Sequence, residues 1–461
     1  MKKWFKLLRT ALDGSEQSYT TGSINRAIFL LSVPMILEMI MESLFAVVDV
    51  FFVSKVSIEA VATVGLTESV ITLVYSVAIG LSMAATAMVA RRIGEGNPEQ
   101  AGRAIGQVIL ISLVVSVIMG LVGVFSAEHI LRLMGASEEV IAVGTTYARI
   151  EFLSSPVIVL LYSLSGALRG AGAASAAMRS LWIANGFNIV LDPLFIFGIG
   201  FFPEMGVTGA AVATTIGRSI GVAYQFYFLT KTTRGIAIRW SDFTPDRAVI
   251  ASILSVAAGG TGQFLVSSAS WIFLTRILAE FGSDVVAGYT IAIRVIIFTL
   301  LPSWGMANAA ATLVGQNLGA SQPDRAETSV WRSAYINMVF LLLVALLFYL
   351  GANTIIGWFN STPTVVDTGV RALRVLCLGY GFYAFGMVII QALNGAGDTR
   401  TPTLLNIICF WLVEIPLAYL LAMGLEMGPL GVFLSVPISE SLLALLGIWV
   451  FRRGKWKLVQ V

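Results

Sequence analysis

The sequence predicts an all-α integral membrane protein: twelve transmembrane helices forming two pseudo-twofold-related six-helix bundles around a central cleft. Three observations carry that expectation. Apolar runs of spanning length fill the chain, basic residues gather in alternate loops, and motifs recur at a constant offset. Only 12% of the 461 residues are charged and 57% are apolar, with a mean hydropathy of +0.87. Soluble domains carry about 25% charged residues, so lipid must solvate most of this surface.

The apolar runs come first. They fall near 27–53, 62–90, 103–124, 139–165, 178–200 and 207–230, then 248–276, 284–312, 329–351, 366–391, 402–424 and 429–451. Each matches the ~20 residues that cross a bilayer as a helix. Hydrocarbon offers no partner to an unpaired peptide group, so such runs must close their hydrogen bonds internally. A β-barrel would alternate in polarity over about ten residues, and no such pattern is present.

The loops then set the orientation. With the N-terminus inside, the inner segments hold Lys2, Lys3, Lys6, Arg9 and Arg26, then Arg91, Arg92 and Arg103, then Arg169 and Arg179. They continue with Lys231, Arg234, Arg239, Arg247, Arg325, Arg332, Arg400, Arg452, Arg453, Lys455 and Lys457. The opposite loops keep little beyond Lys55, Arg132 and Arg276. The positive-inside rule therefore places both termini in the cytoplasm and asks for an even number of crossings. A multi-pass protein of the inner (cytoplasmic) membrane is expected.

The repeat supports the count. Ala90-Arg-Arg-Ile-Gly94-Glu-Gly-Asn-Pro98 matches Gly315-Gln-Asn-Leu-Gly319-Ala-Ser-Gln-Pro323 at an offset of 225 residues. Ala167-Leu168-Arg-Gly170-Ala-Gly172 matches Ala392-Leu393-Asn-Gly395-Ala-Gly397 at the same offset. With a small slip, the segment around Asp192-Pro193 matches that around Glu414 and Pro416. Halves of six helices share one orientation and should be related by an axis along the membrane normal, with the working cavity between them. The expected division is a cytoplasmic segment (1–26), an N-lobe (27–230), a linker (231–247, polar around Thr232 to Asp246), a C-lobe (248–451) and a cytoplasmic tail (452–461). The glycine and proline signals at Gly94/Pro98 and Gly319/Pro323 read as helix stops and turns rather than phosphate loops, since no GKS/T follows.

Several functions are excluded. A net charge of +3 from dispersed basic residues recommends no nucleic acid. Cys377 and Cys409 sit inside apolar runs and make neither a disulfide framework nor a metal pattern. His129 reads as a surface loop residue, so no catalytic constellation is visible and the chain is not expected to be an enzyme or to carry a cofactor. Without a P-loop an ATP-driven pump is excluded. The expected partners are small organic molecules and the lipid bilayer, and the working unit is expected to be a monomer.

What remains is the set of acids in oil. An intramembrane carboxylate costs at least ~2.5 kcal/mol, so each needs a reason. Glu38, Glu42 and Asp49 of the first helix fall within about 40° of arc, a stripe roughly 16 Å long that must face a wet cavity or partner groups. Arg149, Arg218, Arg294 and Arg374 are the cations within reach. On the fifth helix Asn188 and Asp192 share a face one turn apart, and Pro193 frees the Ile189 carbonyl. A carboxylate, an amide oxygen and a loosened carbonyl suit a dehydrated hard cation, with Thr214 able to add a hydroxyl. The same carboxylates could instead carry protons. The second half lacks an equivalent cluster: Gln263, Ser267, Ser268 and Ser270 stand where the first helix has acids, with Glu414 as the one strong analogue and Glu440 in the last helix.

These motifs resemble the multidrug and toxic compound extrusion (MATE) family, within the multidrug/oligosaccharidyl-lipid/polysaccharide flippase superfamily. The residues are Pro34, Val48-Asp49-Val50-Phe51-Phe52-Val53, Gly94 to Pro98, Asn188-Ile-Val-Leu-Asp192-Pro193, Gly209-Ala-Ala-Val-Ala-Thr214 and Ala392 to Pro402. The resemblance implies two lobes around a cleft and efflux of cationic or amphipathic compounds driven by inward H+ or Na+. It also implies that Asp49, Asn188, Asp192 and Thr214 form the N-lobe coupling site, with Asp49, Asn188 and Asp192 as Na+ ligands if sodium is the coupling ion. Acids on the seventh and tenth helices of other members are missing, which places the chain nearer the DinF-like branch. Glu38 and Glu42 are extra to the pattern and, with Glu414, are expected in the substrate cavity. The alternative is a flippase for a lipid-linked saccharide or similar substrate, which would want a cavity lined with cations.

Overall fold

A computed structural model describes residues 2–14, 19–231 and 238–461. Thr232 and Arg234 of the expected linker, and the side chains of Lys2 and Lys3, lie outside what it describes. An amphipathic helix α1 (Lys2–Asp13) precedes α2 (Ile24–Val53), α3 (Ile58–Gly94), α4 (Pro98–Leu133), α5 (Glu138–Leu153), α6 (Ser155–Gly170), α7 (Ala174–Phe197) and α8 (Val207–Thr230). The second half contains α9 (Arg247–Ala279), α10 (Ser283–Gly319), α11 (Pro323–Gly357), α12 (Pro363–Cys377), α13 (Tyr380–Gly395), α14 (Arg400–Asn406), α15 (Ile415–Tyr419) and α16 (Pro429–Arg452).

Eight of these segments are long and apolar enough to span, counting Arg400–Gly424 as one, and two bent pairs add two more. The bends are 42° between α5 and α6 and 57° between α12 and α13. Helices α2 and α8, with 30 and 24 residues, complete twelve. Their acids, arginine, threonines and glutamine dilute an otherwise apolar composition. Helices α3, α4 and α11 outrun their apolar stretches by a turn or more at each end, because caps and polar turns continue them past the hydrocarbon. At Asn97-Pro98, for example, the Asn97 side chain accepts from the Gln100 amide and Pro98 opens the next helix, where its missing donor costs nothing.

The internal repeat is structural. Helices α3 and α10 each contain 37 residues and begin at 58 and 283. The break at Ser154 recurs at Leu378–Gly379, again 225 residues on. The span 400–424 departs from its counterpart α7 by winding wide, as π-helix, over Ile407–Glu414 and Leu420–Gly424. Such turns are often found at functional sites.

Glycines decide how closely the halves approach. A Cβ on Gly80 would lie 2.4 Å from the Ala257 carbonyl oxygen of α9, and one on Gly305 would lie 2.7 Å from the Met35 carbonyl oxygen of α2. Each half thus lends its first helix to the other. At the end bearing the termini, a Cβ on Gly94 would sit 2.0 Å from the Gln316 oxygen, and one on Gly319 2.1 Å from the Arg91 oxygen. Gly94 and Gly319 are equivalent under the repeat and touch, so the pseudo-twofold axis passes between them. These positions are more than helix stops: they form the crossing point of the two halves.

Hydrogen bonds seal the same end. Gln316 donates to the Gly170 carbonyl at 2.9 Å, Arg91 to Val459 at 2.9 Å, and Arg325 to Gly22 at 2.9 Å. Among the described residues, every hydrogen bond between the halves lies toward this terminal face. On α2, Ala27 to Met35 are largely buried, while Leu44, Val47 and Val50 further along are exposed. The cleft therefore closes at the terminal face and widens toward the opposite one.

Candidate functional site

Small residues build the first part of the site. On α8, Gly209, Gly217 and Gly221 face the backbone of α7, and a Cβ on Gly217 would lie 2.5 Å from the Ala184 oxygen. That close approach carries Thr214 to Asn188. The Asn188 amide nitrogen donates to Thr214 Oγ1 at 2.9 Å and to Asp192 Oδ1 at 3.1 Å. Asn188 is 2% exposed and Asp192 is fully buried. Among the described residues two oxygens remain unanswered, since Asn188 Oδ1 and Asp192 Oδ2 are buried with no hydrogen-bond partner. An orphaned buried acceptor is costly, and two on one face ask for a proton or a cation. The donor set fits either.

Asp49 reaches this region from α2, is buried, and its charge acts on Asp192. Arg218 of α8 supplies the local positive charge. It is buried, donates to the Tyr75 hydroxyl at 2.6 Å, and lies 5.6 Å from the Phe45 ring. Its field reaches Asp49, Glu68 and Glu151. Glu68 on α3 and Glu151 on α5 were not anticipated as part of the site. Each is an acid inside a spanning run, as Glu38, Glu42 and Asp49 are on the first helix. Of the other three cations considered for pairing, Arg149 and Arg294 are exposed, and Arg374 donates to the Tyr349 carbonyl at 3.2 Å.

The acidic stripe on α2 divides between two sets of partners. Glu38 pairs with Arg169 at 2.9 Å, and Arg169 also donates to Ser82 Oγ at 2.9 Å. Glu42 accepts from the Tyr162 hydroxyl at 2.7 Å. Both acids line a cavity of about 210 Å³ with Arg169, Trp304 and Asn394. Arg169 is a correction: its place at a helix end suggested a cytoplasmic loop residue, yet it is 8% exposed. The seal at the terminal face covers the last turn of α6, and its backbone is held by Thr312 and Gln316 of the other half.

Arg169→Met should leave Glu38 buried without a counter-charge and lower stability by about 3–5 kcal/mol. Adding Glu38→Gln should recover most of the loss, as read from thermal unfolding in detergent. A double variant no more stable than Arg169→Met would refute the pairing.

Glu414, at the end of the first wide-turn stretch, is buried and accepts from the Ser270 hydroxyl. It lines neither this cavity nor the larger one beside it in the second half, because it is turned toward α9. The second half is also less bare than its sequence suggested, since Glu440 on α16 faces that larger cavity.

Twelve spans in two equivalent halves, with buried carboxylates around a cleft open to one side, define a membrane transporter rather than an enzyme. The chain belongs to the MATE family: the MatE family model matches residues 34–194 and 261–420, one copy in each half. It is 26% identical to the probable multidrug resistance protein NorM of Thermotoga maritima over 94% of this chain and 93% of that one. It is also 26% identical to the FAD transporter of Shewanella oneidensis over 94% and 95%. A solved structure described as the outward-facing conformation of a multidrug resistance MATE family transporter of the MOP superfamily superposes with a TM-score of 0.89. That structure is 28% identical, with 98% of each chain covered.

Proposed function

We propose that this protein is a secondary active efflux antiporter that exports cationic or amphipathic organic compounds in exchange for H+ or Na+. The observation that carries this reading is the pair of orphaned oxygens on Asn188 and Asp192, beside Asp49. A proton or sodium ion entering from the open face meets Asp192 Oδ2 and Asn188 Oδ1, with Asp49 contributing the second charge and Thr214 holding the amide in place. Neutralising the cluster removes the repulsion between the two aspartates, lets α2 repack against α7, and lowers the affinity of the cavity for its ligand. Linkage requires the ligand to weaken cation binding by the same factor. The Glu38/Glu42 cavity receives the compound, with Glu42 as the more available charge because Glu38 is answered by Arg169.

Both termini lie in the cytoplasm of a cell whose inner membrane holds the protein as a monomer, so the open face is the outer one. The names of the multidrug relatives support export of drug-like compounds. A flippase for lipid-linked saccharides fits less well: Arg169, the one cation among the described residues that line the cavity, is already paired.

The test is efflux of a fluorescent organic cation from proteoliposomes under a pH or a sodium gradient imposed separately. One of the two should accelerate efflux. If neither does, with protein correctly inserted, the antiport reading fails.

A further inference from the structure

Arg218 is a buried guanidinium committed to no carboxylate. Among the described residues its one hydrogen bond goes to the Tyr75 hydroxyl at 2.6 Å, and no acid is close enough for an ion pair. Yet acids on three helices act on it. Glu42 and Asp49 do so from α2, Glu68 from α3 and Glu151 from α5. Around them stand the hydroxyls of Tyr75, Tyr147 and Tyr162, while Asp49 also faces Asp192 of α7 and Glu68 faces Arg294 of α10. A buried charge without a close partner is costly to hold, so its position needs a reason.

That reason lies on α2. Residues 42, 45 and 49 share one face of the helix, with Glu42 and Asp49 about 10 Å apart along its axis. Arg218 lies 5.6 Å from the ring of Phe45, the residue between the two acids on that face. Toward Glu42 the way is marked by hydroxyls. The Tyr75 ring meets the Tyr162 ring edge-on at 5.7 Å, and Tyr162 donates to Glu42 Oε1 at 2.7 Å. Glu42 Oε2 accepts no hydrogen bond among the described residues, so it is the oxygen open to a cation. Two cations compete for it, the exported compound and the guanidinium of α8.

We propose that Arg218 is a tethered counter-ion shared by Asp49 and Glu42. A charged Asp49 holds it away from the cavity, and loss of that charge releases it to Glu42, where it displaces the bound organic cation. This inference rests on the antiport reading above and supplies its moving part. Arginine suits the role because it is always charged and its planar fork answers both oxygens of a carboxylate. The exchange is reciprocal, as linkage requires: a compound seated on Glu42 keeps Arg218 beside Asp49, which weakens the hold of Asp49 on a coupling ion. The rival is an arginine that only braces α8 against Tyr75, with coupling carried by the repacking of α2 alone.

The experiment measures binding of tetraphenylphosphonium to the full chain in lipid nanodiscs, first at high pH without sodium, then with the pH lowered or sodium added. In the native protein one of the two ions should weaken binding by roughly 5- to 150-fold, the usual range for coupled sites. Arg218→Met should bind tightly and lose the response, whereas Arg218→Lys should keep it. Asp49→Asn should bind weakly with no ion added, because nothing holds the guanidinium back. The decisive variant is Asp49→Asn/Arg218→Met, which loses one charge of each sign and leaves the net charge of the site unchanged. It should regain tight binding and ignore the ion. If it stays as weak as Asp49→Asn, or if Arg218→Met responds as the native protein does, Arg218 is not the competitor, and the antiport reading stands without it. A native protein whose affinity ignores both ions would overturn that reading and this inference together.

Discussion

Asp192→Asn should reduce gradient-driven efflux to the leak of protein-free vesicles while the protein inserts and folds as before. Asparagine keeps the size of the side chain and its acceptor for the Asn188 amide, so the α7–α8 contact held at 2.9 Å through Thr214 survives. What disappears is the titratable charge. Moving one charge through 100 mV is worth ~2.3 kcal/mol, so a transporter that no longer binds its coupling ion forfeits about fiftyfold in driven concentration. Asp49→Asn should behave alike. Combining the two should cost little more, since groups acting as a unit are not additive. Efflux at the native rate by either single variant, at equal levels in the membrane, would remove the coupling scheme.

Gly94→Val tests the other half of the mechanism, the closing of the terminal face. The new side chain would begin 2.0 Å from the Gln316 carbonyl oxygen, backbone that cannot turn aside. Overpacking of this kind costs about 1–3 kcal/mol, which moves a two-state equilibrium by roughly 5- to 150-fold toward the arrangement that relieves it. Here that arrangement opens the terminal face and closes the opposite one. Spin labels at Lys55→Cys and Glu280→Cys, exposed positions related by the repeat, should report a shorter distance across the far face. Gly319→Val should do the same from the partner side of the axis. Gly65→Ala, with nothing within 4 Å of its would-be Cβ, is the control and should leave the distances alone. A distribution in Gly94→Val like that of the control would mean the crossing point does not set the conformation.

Much of this architecture was legible along the chain. The spans follow from local composition, because the bilayer solvates each run of side chains nearly independently of the rest. The repeat shows in Gly94 and Gly319, and in Leu168 and Leu393, since equivalent helix ends need equivalent turns. Asn188 and Asp192 could be paired from sequence because a helix fixes the geometry of residues one turn apart. Glu68 and Glu151 are equally visible as acids in apolar runs, yet nothing local ties them to Arg218 four and two spans further on.

Sequence alone determined the helices, their number and the faces their polar groups share, because those depend on contacts within a few residues. Only the tertiary structure decided which carboxylate has a partner. Glu38 and Asp49 lie on one stripe of one helix, yet the first is paired by Arg169 and the second lies beside Asp192. Glu440 in the second half has neither an ion pair nor a hydrogen bond among the described residues. Electrostatic energy in a low-dielectric interior depends on distance in space, and the close helix crossings that set those distances are made by glycines far apart in the chain.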